Sequence, residues 1–244
     1  MLFYLFAYAH QTTIEWSPEV TSIVTEEEPA KSRLDNFVED ICHACGVDDY
    51  LIVYSGDRNF RYKVLPTYKH NRTDKEKPIL HPALKKHTIE NHPTAMWEGI
   101  EADDVLGIMS TMEPEKCVIC TIDKDLKQIE GWQYNWNKMG KPKWISQEEG
   151  DFWFYYQILV GDTADGYKGC PGMGDKRTLK LLEDTPRKDW WKVTVEAYEK
   201  KKLTEADALQ QAQVARMLTA DLWSAKKKEP ILWKPSMDKL LGDS

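Results

Sequence analysis

The stretch GIEADDVLGIMSTMEPEKCVICTID, residues 99–123, carries two apolar elements of different period, and reading them sets the fold. In its first half Val105, Ile108, Met109 and Met112 fall on one side of a helix, so residues 99–112 read as helical. In its second half KCVICTID, residues 116–123, is a short apolar run that reads as a buried strand and ends on an acid. The helix begins with Glu101, Asp103 and Asp104. Carboxylates in a first turn complement the helix macrodipole by roughly 0.3–1 kcal/mol, so taken alone they need no further reason. They gain significance only where other acids converge on the same place.

Working outward, residues 34–46 predict a helix stopped by Gly46, and DDYLIVYSGD, residues 48–57, predicts a buried strand. Residues 58–82 are basic and polar without a clear period, and 83–91 predict a short helix between Pro82 and Pro93. Residues 132–146 suggest a hairpin turning at Met139-Gly140-Lys141, and 147–162 a helix. A glycine-rich loop and the helix DKRTLKLLED follow, then a helical pattern over 203–226 with Leu209, Val214, Leu218 and Leu222. There are no internal repeats. Alternating strands and helices predict an α/β fold with a mostly parallel sheet covered on both faces.

The 244 residues are 41% hydrophobic, enough for one large domain or a domain with a small appendage, and the formal net charge is −7. That sign argues against nucleic-acid binding by overall charge but leaves room for a local basic track. Five cysteines without framework spacing suggest a reducing compartment. Two CxxC pairs, Cys42–Cys45 and Cys117–Cys120, raise the question of a zinc site. The second pair sits in a strand, where residues three apart face opposite sides, and the first at a helix end, where it suits a core, so zinc is disfavoured. The opening MLFYLFAYA lacks a basic n-region and reads as core rather than a secretion signal, and no segment is long and apolar enough for a membrane span. The expectation is a soluble, cytoplasmic protein.

In parallel α/β sheets the carboxyl ends of strands build the site. Asp57 ends one predicted strand; Asp123 and Asp125 end another and share a side. Asp162 and Asp165 follow the next long helix. Each has an ordinary reading as a turn former or cap. Four acidic clusters at the ends of apolar elements, however, would not all stay ionised at short range without cations. Oxygen donors without convergent histidines suit magnesium or manganese rather than zinc.

GDRNFRYKVLPTYKHNR (56–72), EADDVLG (101–107), TIDKDLKQI (121–129) and VGDTADGYKGCPGMGDKRTLKLL (160–182) stand in the order found in the 5′-nuclease superfamily. That group includes flap endonucleases and the 5′-nuclease domain of bacterial DNA polymerase I, and the pattern most resembles the 5′→3′ exonucleases of short-tailed phages. The resemblance implies a PIN-like, Rossmann-like α/β domain over residues 1–160 and a helix–three-turn–helix DNA-binding region with C-terminal helices over 161–244. It implies that Asp57, Glu101, Asp103 and Asp123 hold one Mg2+ or Mn2+, and that Asp125, Asp162 and Asp165 hold a second, with Asp123 open to sharing. Asp104 matches an acid in some relatives only. Lys69 and Arg72 match basic residues aimed at the scissile phosphate, whereas in isolation they read as a solvated loop. Tyr68 either stacks on a base or anchors that loop.

GCPGMGDKR, residues 169–177, is not a nucleotide-binding GxGxxG, because it follows a helix and lacks the third glycine. Gly169, Gly172 and Gly174 let backbone amides approach a DNA phosphate, and Lys176, Arg177 and Lys180 charge the next helix. The resemblance also admits a K+ ion at this loop. Core packing is the better reading for most of Trp132, Trp136, Trp144, Trp153, Trp190 and Trp191.

The family's first strand, with its own aspartate, has no match before the helix of FYLFAYAHQTT, which suggests an N-terminally shortened chain. The expected activity is a metal-dependent 5′→3′ exonuclease or flap endonuclease. Its substrate would be duplex, nicked or flapped DNA and RNA–DNA hybrids, in phage replication, recombination or host-DNA degradation. It would act as a monomer without membrane, in the host cytoplasm if phage-encoded. The alternatives are a weakly active or inactive DNA-binding relative, or a PIN-type ribonuclease.

Overall fold

The computed structural model describes residues 2–72 and 76–238. The elements begin with α1 (Leu2–Ala9), β1 (Gln11–Ser17), β2 (Val20–Thr25), α2 (Glu27–Cys45), β3 (Ile52–Ser55), α3 (Arg61–Val64), α4 (His81–Asn91) and β4 (Thr94–Trp97). They continue with α5 (Ala102–Met112), β5 (Val118–Cys120), β6 (Gly131–Tyr134), β7 (Lys143–Ile145), α6 (Gln147–Val160) and α7 (Asp175–Glu183). The last are α8 (Trp190–Glu199), α9 (Glu205–Ala215), β8 (Trp223–Ser224), β9 (Glu229–Pro230) and α10 (Pro235–Asp238). None of the described helices is long and apolar enough to cross a membrane.

Contacts divide the chain into two compact units, one holding residues 1–54 and 74–95, the other 55–73 and 96–244. Both halves of the expected division at residue 160 contribute to the second unit. In the first unit α1, α2 and α4 pack together around Phe3, Phe6, Ala7, Leu34, Val38 and Leu84. Phe3, Phe6 and Ala7 lie at i, i+3 and i+4, so the opening apolar stretch is a helix that buries one face. The β1–β2 hairpin is absent from the sequence reading. Its β-branched residues favour strands, but Trp16, Val20, Ile23 and Val24 are exposed, so no buried period marks it.

In the second unit α6 lies at the centre of a core that includes Phe154, Tyr155, Ile158 and Leu159, with α7, α8 and α9 around it. Ser146 caps α6 and exchanges hydrogen bonds with Glu149, a capping box that fixes its start. Trp190 is buried in this core, while Trp132 stays exposed. The hairpin expected over 132–146 is β6–β7.

The α/β class holds, but in place of a mostly parallel sheet the described strands form small separate sheets whose pairings are mainly antiparallel, because the strands are short and several are joined as hairpins. β5 and β6 pair in parallel, and β6–β7, β1–β2 and β8–β9 are antiparallel. Strands of two to seven residues leave most of the chain's backbone bonds to turns and helices.

The helix expected over 203–226 stops at Ala215. Buried side chains seize the backbone that would continue it. Arg61 Nε and Nη2 donate to the carbonyls of Val214 and Arg216, each at 2.8 Å, and Gln128 Nε2 donates to Ala215 O at 2.8 Å. The Leu218 N–H donates to Asp104 at 3.2 Å. This extended segment crosses α5 at Gly107, where an added Cβ would stand 2.3 Å from Leu218 O. Gly107→Ala therefore loses about 1–3 kcal/mol in denaturant unfolding despite alanine's better helix propensity. Gly140→Ala, which meets nothing within 4 Å, stays near wild type.

Candidate active site

The site belongs to the second unit. α5 brings Glu101, Asp103 and Asp104; the 3-10 turn Asp125–Gln128 after β5 brings Asp125 beside Asp123; the loop after α6 brings Asp162 and Asp165. That loop is folded by reciprocal hydrogen bonds between Asp162 and Tyr167, and by Asp162 accepting the N–H groups of Ala164 and Asp165. Gly161 and Gly169 close it. Both have positive φ, and a Cβ on either would lie 2.4 Å from the other strand of the loop.

Tyr68 and Lys69 tie two acidic segments together. The Tyr68 hydroxyl lies 3.0 Å from both Glu101 Oε2 and Asp165 Oδ2. Lys69 Nζ donates to Glu101 and lies 3.8 Å from Asp165, and the Lys69 N–H donates to Asp165 O at 2.8 Å. Tyr68 is thus a buried anchor, which decides between the two readings in favour of the anchor. Lys124, which the sequence reading passed over, holds Asp162 at 2.8 Å.

These cations divide the carboxylates. Burial works to raise Glu101, but Arg61 and Lys69 outweigh it and hold the carboxyl below its usual range. Burial likewise opposes Asp162, and Lys124 again prevails and lowers it. Asp103 has no such partner: burial, then Asp123 and Glu101, push it up to about 7. Asp125 is pushed up to about 6 by burial and then Asp123, with Lys124 only partly offsetting them. Its Oδ1 accepts Gln157 Nε2 at 2.6 Å. Gln157 in turn accepts from Gln128, so an amide relay joins Asp125 to the segment after α9.

Two further expected ligands differ in setting from these acids. Asp104 is wholly buried and fully engaged: it accepts both Arg61 terminal nitrogens, at 2.6 and 2.8 Å, and the N–H groups of Glu101 and Leu218. No lone pair is left facing the other acids, so Asp104 is structural. Asp57 is exposed, and its carbonyl accepts the Gly99 N–H at 3.0 Å while Gly56 N–H donates to Ile100 O at 3.1 Å, so it lies beside the segment that leads into Glu101. The strand expected to end on it stops at Ser55, and the chain bends before the acid. Arg61, fully buried, was invisible in the sequence because its tract reads as a solvated basic loop. The one available signal was its place among Phe60, Tyr62 and Val64.

On the glycine-rich loop, Gly169 is buried against Gly161 and donates its N–H to Gln211 at 3.0 Å, so it does not face outward. Gly172 and Gly174 are exposed, as are Lys176, Arg177 and Lys180, and Arg177 donates to Gly172 O at 3.0 Å. Arg72 lies in the 3-10 turn His70–Arg72, and its side chain falls outside the described ones. All five cysteines are free, and among the described residues the one side-chain group with metal-ligand spacing includes none of them.

The chain is similar to known proteins over most of its length. The family described as 5′-3′ exonuclease, N-terminal resolvase-like domain, matches residues 30–149. The exodeoxyribonuclease of Enterobacteria phage T3 is 27% identical over 220 residues, covering 76% of this chain and 73% of that protein. The exonuclease of Escherichia phage T7 is 27% identical over 223 residues, with the same coverage. Among solved structures, the bacteriophage T5 flap endonuclease in a complex with DNA and metal ions shares the fold. Its TM-score is 0.59 at 14% identity, covering 78% of this chain and 82% of that one. The T5 5′-exonuclease with bound zinc gives a TM-score of 0.58 at 16% identity, over 77% and 81%.

Asp103 sets a pH dependence whose sign follows from its raised pKa. Between pH 5 and 8 an unfolded Asp is already ionised, whereas folded Asp103 still holds its proton at the lower end and must give it up near 7. Its contribution therefore disfavours the fold increasingly as pH rises. With a chelator present, the Tm advantage of Asp103→Asn over wild type is larger at pH 8 than at pH 5.5. An advantage independent of pH would contradict this electrostatic account.

Proposed function

From the chain's membership of the 5′-nuclease superfamily, close to the phage exonucleases, we propose that it is a 5′→3′ exonuclease or flap endonuclease that hydrolyses DNA phosphodiesters with two divalent ions. The chain is a nuclease of the phage and polymerase I kind. The observation that carries the finer reading is the split among the pocket acids. Asp103 and Asp125 are pushed up first by burial and then by neighbouring carboxylates, which Lys69 and Lys124 offset only in part. An oxygen-only donor set with an excess of negative charge fits hard ions such as Mg2+ or Mn2+.

Asp57, Glu101, Asp103 and Asp123 would hold one ion, and Asp125, Asp162 and Asp165 the other. Such a pair activates water and stabilises the leaving oxygen of an in-line displacement. Tyr68 keeps Glu101 and Asp165 at a fixed separation. Lys69, held between these two acids, is free to turn to the scissile phosphate once they are neutralised, and Arg72 is assigned the same role by family position. Lys124 would give up Asp162 on the same occasion; its exposed position lets it reach the backbone of the DNA. Gly172, Gly174, Lys176, Arg177 and Lys180 would grip duplex DNA, with K+ as an optional occupant of the loop. Substrates include nicked or flapped duplexes and RNA–DNA hybrids, cut by a monomer.

Digestion of 5′-labelled duplex in Mg2+ tests this. Asp123→Ala lowers cleavage by more than about 100-fold, the scale of lost charge stabilisation, while gel-shift binding of the duplex persists. Retained metal-dependent cleavage by this variant would overturn the assignment. Replacing Lys176 and Arg177 by Ala weakens binding at all sequences and reduces the salt slope by about 1–2.

A further inference from the structure

Three side chains of the first compact unit converge, and nothing in the nuclease reading uses them. Asp35 lies on α2, His87 near the end of α4, and His92 is the residue that ends it. His87 Nε2 is 2.8 Å from Asp35 Oδ1 and 3.0 Å from Oδ2, and His92 Nε2 is 2.8 Å from the same Oδ1. One donor atom from each lies within 4.8 Å of the others. The two imidazoles meet edge to face, with centroids 5.9 Å apart, and both Nε2 atoms point at the same Asp35 oxygen.

We propose that Asp35, His87 and His92 form a binding site for a zinc-class divalent ion, with water in the fourth position. Two imidazoles and a carboxylate are the donors that such ions take, and an ion at about 2.0–2.2 Å from each needs the two nitrogen–oxygen contacts to open by about 0.5 Å from their hydrogen-bonded 2.8 Å. The anion is ready: burial works to raise Asp35, but hydrogen bonds from His87 and His92 outweigh it and keep the carboxyl below its usual range. The outer partners are in place too. Tyr50 Oη is 2.8 Å from His92 Nδ1, and Asn91 Nδ2 is 3.2 Å from His87 Nδ1. In the ion-free state these two groups donate and each Nε2–H points at Asp35. With the ion bound, both imidazoles carry the proton on Nδ1 and Tyr50 accepts from His92, while Asn91 keeps its 2.8 Å bond to the His87 carbonyl. Asp35 is the most exposed of the three, which leaves a solvent-side position for water.

The ion would clamp α2 to α4, the two helices that pack against α1. Nitrogen donors also separate this site chemically from the all-oxygen acidic pocket, so the two select different ions.

Co2+ serves as the probe, added to the full chain in excess Mg2+. The expected result is one equivalent of Co2+ giving proton resonances shifted by the paramagnetic ion and assignable to two imidazoles, displaced by one equivalent of Zn2+. A cobalt-loaded wild-type chain with no shifted imidazole resonances would overturn the proposal, and this reading needs no variant to fold. His87→Gln and His92→Gln each lose that equivalent and the Zn2+-dependent rise in Tm, while Asp123→Asn keeps both. Unchanged stoichiometry in the folded histidine variants would equally overturn it.

Discussion

The buried ion pair between Arg61 and Asp104 is the constraint on which the second unit depends. Both side chains are fully removed from water. Such a pair is tolerable only if its remaining donors and acceptors are satisfied, and breaking one partner leaves a buried charge that costs about 3–5 kcal/mol. Here the accounting closes. Arg61 gives two bonds to Asp104 and one each to Val214 O and Arg216 O, and its Nη1 lies 3.8 Å from Glu101. Asp104 takes two backbone N–H groups besides. The pair thereby fixes where α9 ends, holds the next segment against α5, and sets the start of the helix that presents Glu101 and Asp103.

The acidic pocket is the opposite case, a set of charges left incompletely compensated. Where a lysine reaches a carboxylate, as Lys69 does Glu101 and Lys124 does Asp162, the carboxyl falls below its usual range. Where none does, as at Asp103, the carboxyl rises to about 7. The scaffold keeps these groups close in spite of their repulsion through Tyr68, the Gln128–Gln157 relay and the closed loop between Gly161 and Gly169. Perturbed acids held on a rigid frame are the physical mark of a functional site.

Much of this was legible in the chain. The helices α5, α6 and α7 and the β6–β7 hairpin follow from apolar period, capping residues and turn chemistry, and Gly46 ends α2 as expected. Acids at the ends of these elements marked the pocket, because the ends of apolar elements are where a chain emerges from the core. The misses share a cause. Leu218 and Leu222 continue a helical period, yet the backbone there bonds to Arg61, Gln128 and Asp104, partners from distant parts of the chain.

The sequence by itself determined the α/β class, the order of the four motifs and the resemblance to the phage exonucleases, since periodicity and local motifs survive without knowledge of contacts. Only the tertiary structure decided what each charged residue does. Asp103 and Asp104 are neighbours in the chain, and successive residues of a helix point about 100° apart. One therefore faces the pocket unpaired, while the other is buried against an arginine that the chain alone shows as one more basic residue in a polar loop.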